Sequence, residues 1–125
     1  MKLAPLILSL SALPAAASSA PRILDCTFTV ECSTVEAQCR QQEEPILSFT
    51  LIVALEGDSA AYEGDDTAPP MQVSYTEDGV LMAYDAARGT LTSVGGDGTA
   101  VHASNLILLG TQNRAAQWAG RCETR

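Results

Sequence analysis

From residue 24 to residue 32 the chain alternates. Leu24, Cys26, Phe28, Val30 and Cys32 fall on one face, and Asp25, Thr27, Thr29 and Glu31 on the other, the period of a half-buried β-strand. The same period returns from Ile46 to Leu55, where Leu47, Phe49, Leu51, Val53 and Leu55 share a face. A short piece spans Ser59 to Glu63. Met71, Val73 and Tyr75 define a further strand, and Val80, Met82 and Tyr84 a return strand. Thr90–Val94, Thr99–Leu109 and Arg114–Cys122 complete the series, with Ala116, Trp118, Gly120 and Cys122 on one face of the last. The punctuation agrees with this reading. Glu56-Gly57-Asp58, Glu77-Asp78-Gly79, Arg88-Gly89 and Gly95-Gly96-Asp97-Gly98 are turn sequences, and 64–70 is loop by composition. One helical signal stands out: Ser33-Thr34-Val35-Glu36 matches a capping box, which predicts a short helical turn within Ser33–Gln42.

About eight short antiparallel strands with no internal repeat predict an all-β domain. An up-and-down meander barrel is the expected architecture, with a two-sheet sandwich as the alternative. Four cysteines bear on that choice. Cys26 and Cys122 sit on the apolar faces of the first and last strands, so a barrel that joins its edges would bridge them and leave Cys32 and Cys39 to clip the segment between. Cys32–Cys122 remains open as an alternative pairing. An even count in a small domain reads as a disulfide framework, whereas zinc would want paired C-x2-4-C knuckles, which are lacking.

The cysteines fit the address at the N-terminus. Met1-Lys2 is a short basic start, Leu3–Leu13 is apolar, and Pro14-Ala15-Ala16-Ala17 supplies small residues for cleavage. The expectation is a signal peptide over 1–17, with Ala20 as a second possible cleavage point, and a single disulfide-bonded β domain over 18–125. Eleven apolar residues fall short of the roughly 20 that span a bilayer, so no transmembrane span is expected. Asp25 before Cys26 argues against a lipid anchor. The missing N-x-Ser/Thr sequon fits a bacterial periplasmic or secreted protein.

Charge narrows the partners. The 125 residues carry 15 Asp and Glu against 7 Lys and Arg, a formal charge of −8 and a pI near 4.3. Lys2 leaves with the leader, and six Arg against 15 acids give 6 − 15 = −9. Nucleic acid is excluded by the missing basic patch, and 5% aromatic content offers no stacking platform. A lysine nucleophile or base is excluded too.

Candidate chemistry is sparse. His102 is the only histidine, and with Val101 and Ala103 taken as inward-pointing it is expected on the outer face of its strand. No G-x-S-x-G elbow, H-E-x-x-H, C-x-x-C, P-loop or dinucleotide fingerprint occurs. Catalytic, cofactor-binding and metal-binding residues are therefore assigned as none. Glu56, Asp58, Glu63, Asp65 and Asp66 form the densest acidic stretch. It lacks the spacing of a calcium loop and reads as a solvated loop. Trp118 reads as a core or barrel-closing residue.

The frame Cys26-x-Phe28-x-x-Glu31-Cys32, then Cys39, then Gly120-Arg121-Cys122-Glu123 resembles a group of small exported alphaproteobacterial proteins, and the resemblance implies no activity. C-type lysozyme inhibitors are similar in size and class, but their Ser-Gly-rich inhibitory loop is not found here. Lipocalins open on a Gly-x-Trp strand, whereas the one Trp here lies in the last strand. The expected function is an exported, non-catalytic β-barrel module that binds a protein or a small apolar ligand. The alternatives are a small periplasmic hydrolase using His102 or a carboxylate pair, and an inhibitor of a basic extracytoplasmic enzyme such as a lysozyme.

Overall fold

A computed structural model describes residues 20–66, 68–105, 107–108 and 110–125; the leader expected over 1–17 lies outside them. The alternating segments become strands β1 (Arg22–Ser33), β2 (Gln38–Gln41), β3 (Leu47–Val53), β4 (Ser59–Tyr62), β5 (Met71–Tyr75), β6 (Leu81–Asp85), β7 (Thr90–Val94), β8 (Thr99–Ser104), β9 (Ile107–Leu108), β10 (Gln112–Asn113) and β11 (Ala116–Thr124). Hydrogen-bonded neighbours run β11-β8-β7-β6-β5-β4-β3-β1, and β1 pairs back onto β11. All these pairings are antiparallel. The result is a closed eight-stranded up-and-down barrel with β2 as one extra strand, and closure leaves the eight strands no unpaired long edge. β9 and β10 form a separate two-stranded ribbon between β8 and β11.

Closure is stapled where the ends meet. Cys26 faces Cys122 in the β1–β11 register, and the two are joined by a disulfide. Cys32 and Cys39, opposite each other on β1 and β2, form the second. The core is made by inward residues of every barrel strand. Phe28, Leu24, Leu51, Leu81, Val53 and Thr92 fill it with almost no exposure, and Ala60, Ala83 and Ala100 leave them room. Alternating large and small side chains in this way suits the narrow interior of an eight-stranded barrel.

Four expectations are corrected. No helix exists among the described residues: Ser33–Gln42 is a β-hairpin, with Gln38–Gln41 as β2. The Ser33 hydroxyl does accept from the Glu36 N–H at 3.4 Å, but Ala37 turns at φ 52° and the chain pairs back on β1. Pairing and the disulfide override the local capping signal. Second, the return strand defined by Val80, Met82 and Tyr84 is Leu81–Asp85, and the residues of that period are not its buried ones: Leu81, Ala83 and Asp85 are, while Tyr84 is 48% exposed. Third, Leu55 lies beyond the end of β3 and is exposed. Fourth, a β-bulge between Phe28 and Val30 shifts the register, so that Phe28 faces Gly120 but Val30 faces Ala119. One extra residue in β1 exchanges its faces beyond that point. Val30 and Cys32 therefore leave the inward face, and Glu31 joins it.

Alternating strand direction sorts the turns. Those after β3, β5 and β7 emerge at one end of the barrel, beside the start of β1 and the end of β11. The β1–β2 turn, the loop after β4, the β6–β7 turn and the β9–β10 ribbon lie at the other end. No helix among the described residues is long and apolar enough to cross a membrane.

Candidate functional site

The bulge has a chemical consequence. Glu31 now stands opposite Trp118, Trp118 opposite His102, and His102 opposite Thr92, so that one transverse row crosses β1, β11, β8 and β7. On the far side of Glu31 stands Arg40 of β2. Every step is a contact. Thr92 Oγ1 and His102 Nδ1 lie 2.8 Å apart, and the His102 and Trp118 ring centres 5.5 Å. Trp118 Nε1–H donates to Glu31 Oε2 at 2.7 Å, and Arg40 Nε–H donates to Oε1 at 3.0 Å. Both carboxylate oxygens of Glu31 are thus engaged. The row runs from a buried imidazole to an exposed guanidinium.

His102 is where the sequence reading fails most plainly. It was expected on the outer face, yet it is only 7% exposed, and Val101 is the exposed neighbour at 42%. Rings of Phe28, Phe49 and Trp118 surround it, at centroid distances of 6.0, 5.1 and 5.5 Å. Burial holds its pKa below the ordinary value of 6.5, so the imidazole is neutral at pH 7. Among the described residues no carboxylate hydrogen-bonds to it. A His-acid pair is not assembled around this ring.

The polar end of the interior is latched from the loops. Asp85, 4% exposed, accepts from the backbone N–H of Ala87 and Arg88, closing the β6–β7 turn, and pairs with the Arg88 guanidinium. Arg88 also pairs with Asp65 of the loop after β4 and lies over the Tyr62 ring at 5.7 Å. This splits the dense acidic stretch. Glu56 and Asp58 sit on the β3–β4 turn at one end of the barrel, and Glu63, Asp65 and Asp66 follow β4 toward the other. Among the described residues no group of three or more metal-ligating side chains converges.

Two surfaces remain. At the end carrying the β3–β4 and β5–β6 turns, Glu56, Asp58, Glu77 and Asp78 have no arginine within salt-bridge distance among the described residues. The exposed side chains Leu55 and Tyr75 adjoin these turns in the chain, and the Tyr75 hydroxyl lies 4.0 Å from where a Gly57 side chain would begin. Asp97, on the third turn of this end, is occupied. Its carboxylate accepts from the Thr99 N–H and hydroxyl, which hold its pKa below the usual carboxylate range. At the opposite end a cleft of about 230 Å³ opens over Trp118, walled by Glu31, Val35, Glu36 and Arg114. The sequence marks Trp118 as a core or barrel-closing residue, Val35 and Glu36 as part of a capping box and Glu31 as part of the cysteine frame, and gives no sign that they share a cleft. They are brought together by the bulge and by the two hairpins at this end.

Comparison with family models, with curated proteins and with solved structures finds no match.

Proposed function

We propose that the chain is an exported, non-catalytic β-barrel module that binds a basic protein partner through the acidic end of the barrel. The observation that carries this reading is that Glu56, Asp58, Glu77 and Asp78 lie on two turns at the same end of the barrel, with the exposed Leu55 and Tyr75 adjoining them in the chain. Unneutralised acids steer a basic partner, and an exposed tyrosine beside an aliphatic side chain is the kind of anchor that contributes most at protein interfaces. The filled interior supports the same choice. Phe28, Leu24, Leu51 and Leu81 occupy the space that an enclosed apolar ligand would need. Two disulfides, a leader-like N-terminus and the resemblance of the cysteine frame to small exported proteins fit a periplasmic or secreted site of action.

The test is capture of envelope proteins on the immobilised mature domain, with elution by rising salt. Retained proteins should be basic and should release as ionic strength increases. A variant carrying E56Q, D58N, E77Q and D78N should lose at least ten-fold in affinity for the protein so identified. Adding the domain to an assay of a basic lysozyme tests the inhibitor form of the same idea. Capture of acidic proteins, or unchanged capture by the four-fold variant, overturns the proposal.

A further inference from the structure

The second surface lies at the opposite end of the barrel, and its chemistry differs from that of the acidic end. The cleft over Trp118 is a built platform. The indole N–H is held at 2.7 Å by Glu31, which Arg40 holds in turn from the neighbouring strand. His102 packs against the ring from the core side. The cleft is framed by two hairpins that are tied together. The Thr34 N–H and hydroxyl both donate to the Ala115 carbonyl, at 3.2 and 3.0 Å, and the Asn113 amide donates to the Thr34 hydroxyl at 3.4 Å. An indole fixed from behind is a pre-organised binding face.

Two charges of opposite sign stand on this cleft. Glu31 is saturated by its own partners, but Glu36 and Arg114 have no ion pair among the described residues and are not paired with each other. Val35 adds an apolar wall, 61% exposed. A guanidinium recognises a carboxylate through paired N–H donors. A carboxylate beside an indole suits an ammonium group, which gains both the ion pair and the ring. The cleft is open to solvent, and its volume of about 230 Å³, below the roughly 300 Å³ at which pockets for drug-sized molecules begin, suits an occupant about the size of an amino acid.

We infer that this cleft binds a small zwitterion of the α-amino-acid class with an apolar side chain, its carboxylate on Arg114, its ammonium on Glu36 and its side chain against Trp118 and Val35. The site is separate from the acidic end, and its failure leaves the protein-binding reading intact.

Trp118 is the only tryptophan in the chain, so its fluorescence reports this cleft directly. The mature, oxidised domain is titrated with each free L-amino acid other than tryptophan. Saturable change is expected for the larger apolar ones, L-phenylalanine among them. Phenylacetate, which lacks the ammonium, and phenethylamine, which lacks the carboxylate, should each bind at least ten-fold more weakly than L-phenylalanine. R114Q should weaken L-phenylalanine and phenylacetate by a similar factor and spare phenethylamine. E36Q should weaken L-phenylalanine and phenethylamine by a similar factor and spare phenylacetate. Both positions are on the surface, so neither variant threatens the fold. No saturable change with any amino acid at millimolar concentration overturns the inference. So does equal binding of phenethylamine and L-phenylalanine, or indifference to both substitutions.

Discussion

Gly120→Ala is expected to be among the most damaging single-methyl additions in this chain. Gly120 lies on the inward face of β11 at the closing seam, opposite Phe28 and next to the bulge of β1. A side-chain carbon placed there would meet the Thr27 carbonyl oxygen at 2.0 Å and the Phe28 Cα at 2.6 Å, both backbone atoms that no rotamer change can move. Ordinary contact begins near 3.4 Å, so the seam must open by about 3.4 − 2.0 = 1.4 Å. Ladder bonds near 2.9 Å do not survive such a shift. Losing two of them costs about 2 kcal/mol, and overpacking adds ~1–3 kcal/mol, for a total of about 3–5 kcal/mol. Against the 5–15 kcal/mol typical of whole domains this is a large fraction. For a chain of this size it lowers the melting temperature by roughly 15 °C or more. Thermal and guanidinium unfolding of the oxidised protein, followed by circular dichroism and Trp118 fluorescence, measures it. Gly96→Ala is the control: nothing lies within 4 Å of its added carbon, and its φ is not in the left-handed region. That variant should stay within about 0.5 kcal/mol of the parent. A Gly120→Ala protein that melts within 3 °C of the parent would refute the close approach of β1 and β11 on which the reasoning depends.

Two further outcomes follow from the same interior. Because burial lowers the His102 pKa in the folded state, the unfolded chain takes up the proton first as pH falls. Its contribution is fully present above the ordinary value of 6.5 and is lost below it, with a slope no steeper than about 1.4 kcal/mol per pH unit. His102→Gln should remove this slope from guanidinium midpoints measured between pH 7.5 and 5; a slope that persists in the variant assigns it to other groups. The disulfides should differ in worth. Sequence separations of 96 and 7 give entropic contributions of about 4.7 and about 2.4 kcal/mol for Cys26–Cys122 and Cys32–Cys39. Paired Cys→Ser variants compared by denaturant unfolding should keep that order, with hydrogen exchange in the second rising mainly over Ser33–Gln42. The reverse order would contradict the role given to the seam.

An all-β chain, the positions where most of its strands begin and end, and the turns that join them were all legible in the residues alone. Those properties are local: a period of two needs only neighbours two residues apart, and Asp78-Gly79 or Gly95–Gly98 reverses the chain wherever it lies. The pairing of Cys26 with Cys122 could also be argued, because both share the inward period of their strands. Which face turns inward was decided elsewhere. In β6 the bulkier Met82 and Tyr84 lose the interior to Leu81, Ala83 and Asp85, and in β8 Val101 loses it to Ala100 and His102. A narrow barrel has room for only a few large side chains, so neighbouring strands fix the register, and the register selects small or polar residues over larger apolar ones. The bulge at Thr29 leaves no mark in the alternation of Leu24–Cys32, yet it brings Glu31 to Trp118 and so creates the row from His102 to Arg40. The extra residue exists only relative to the partner strand β11, and pairing with a strand some 90 residues away is a property of the closed barrel alone.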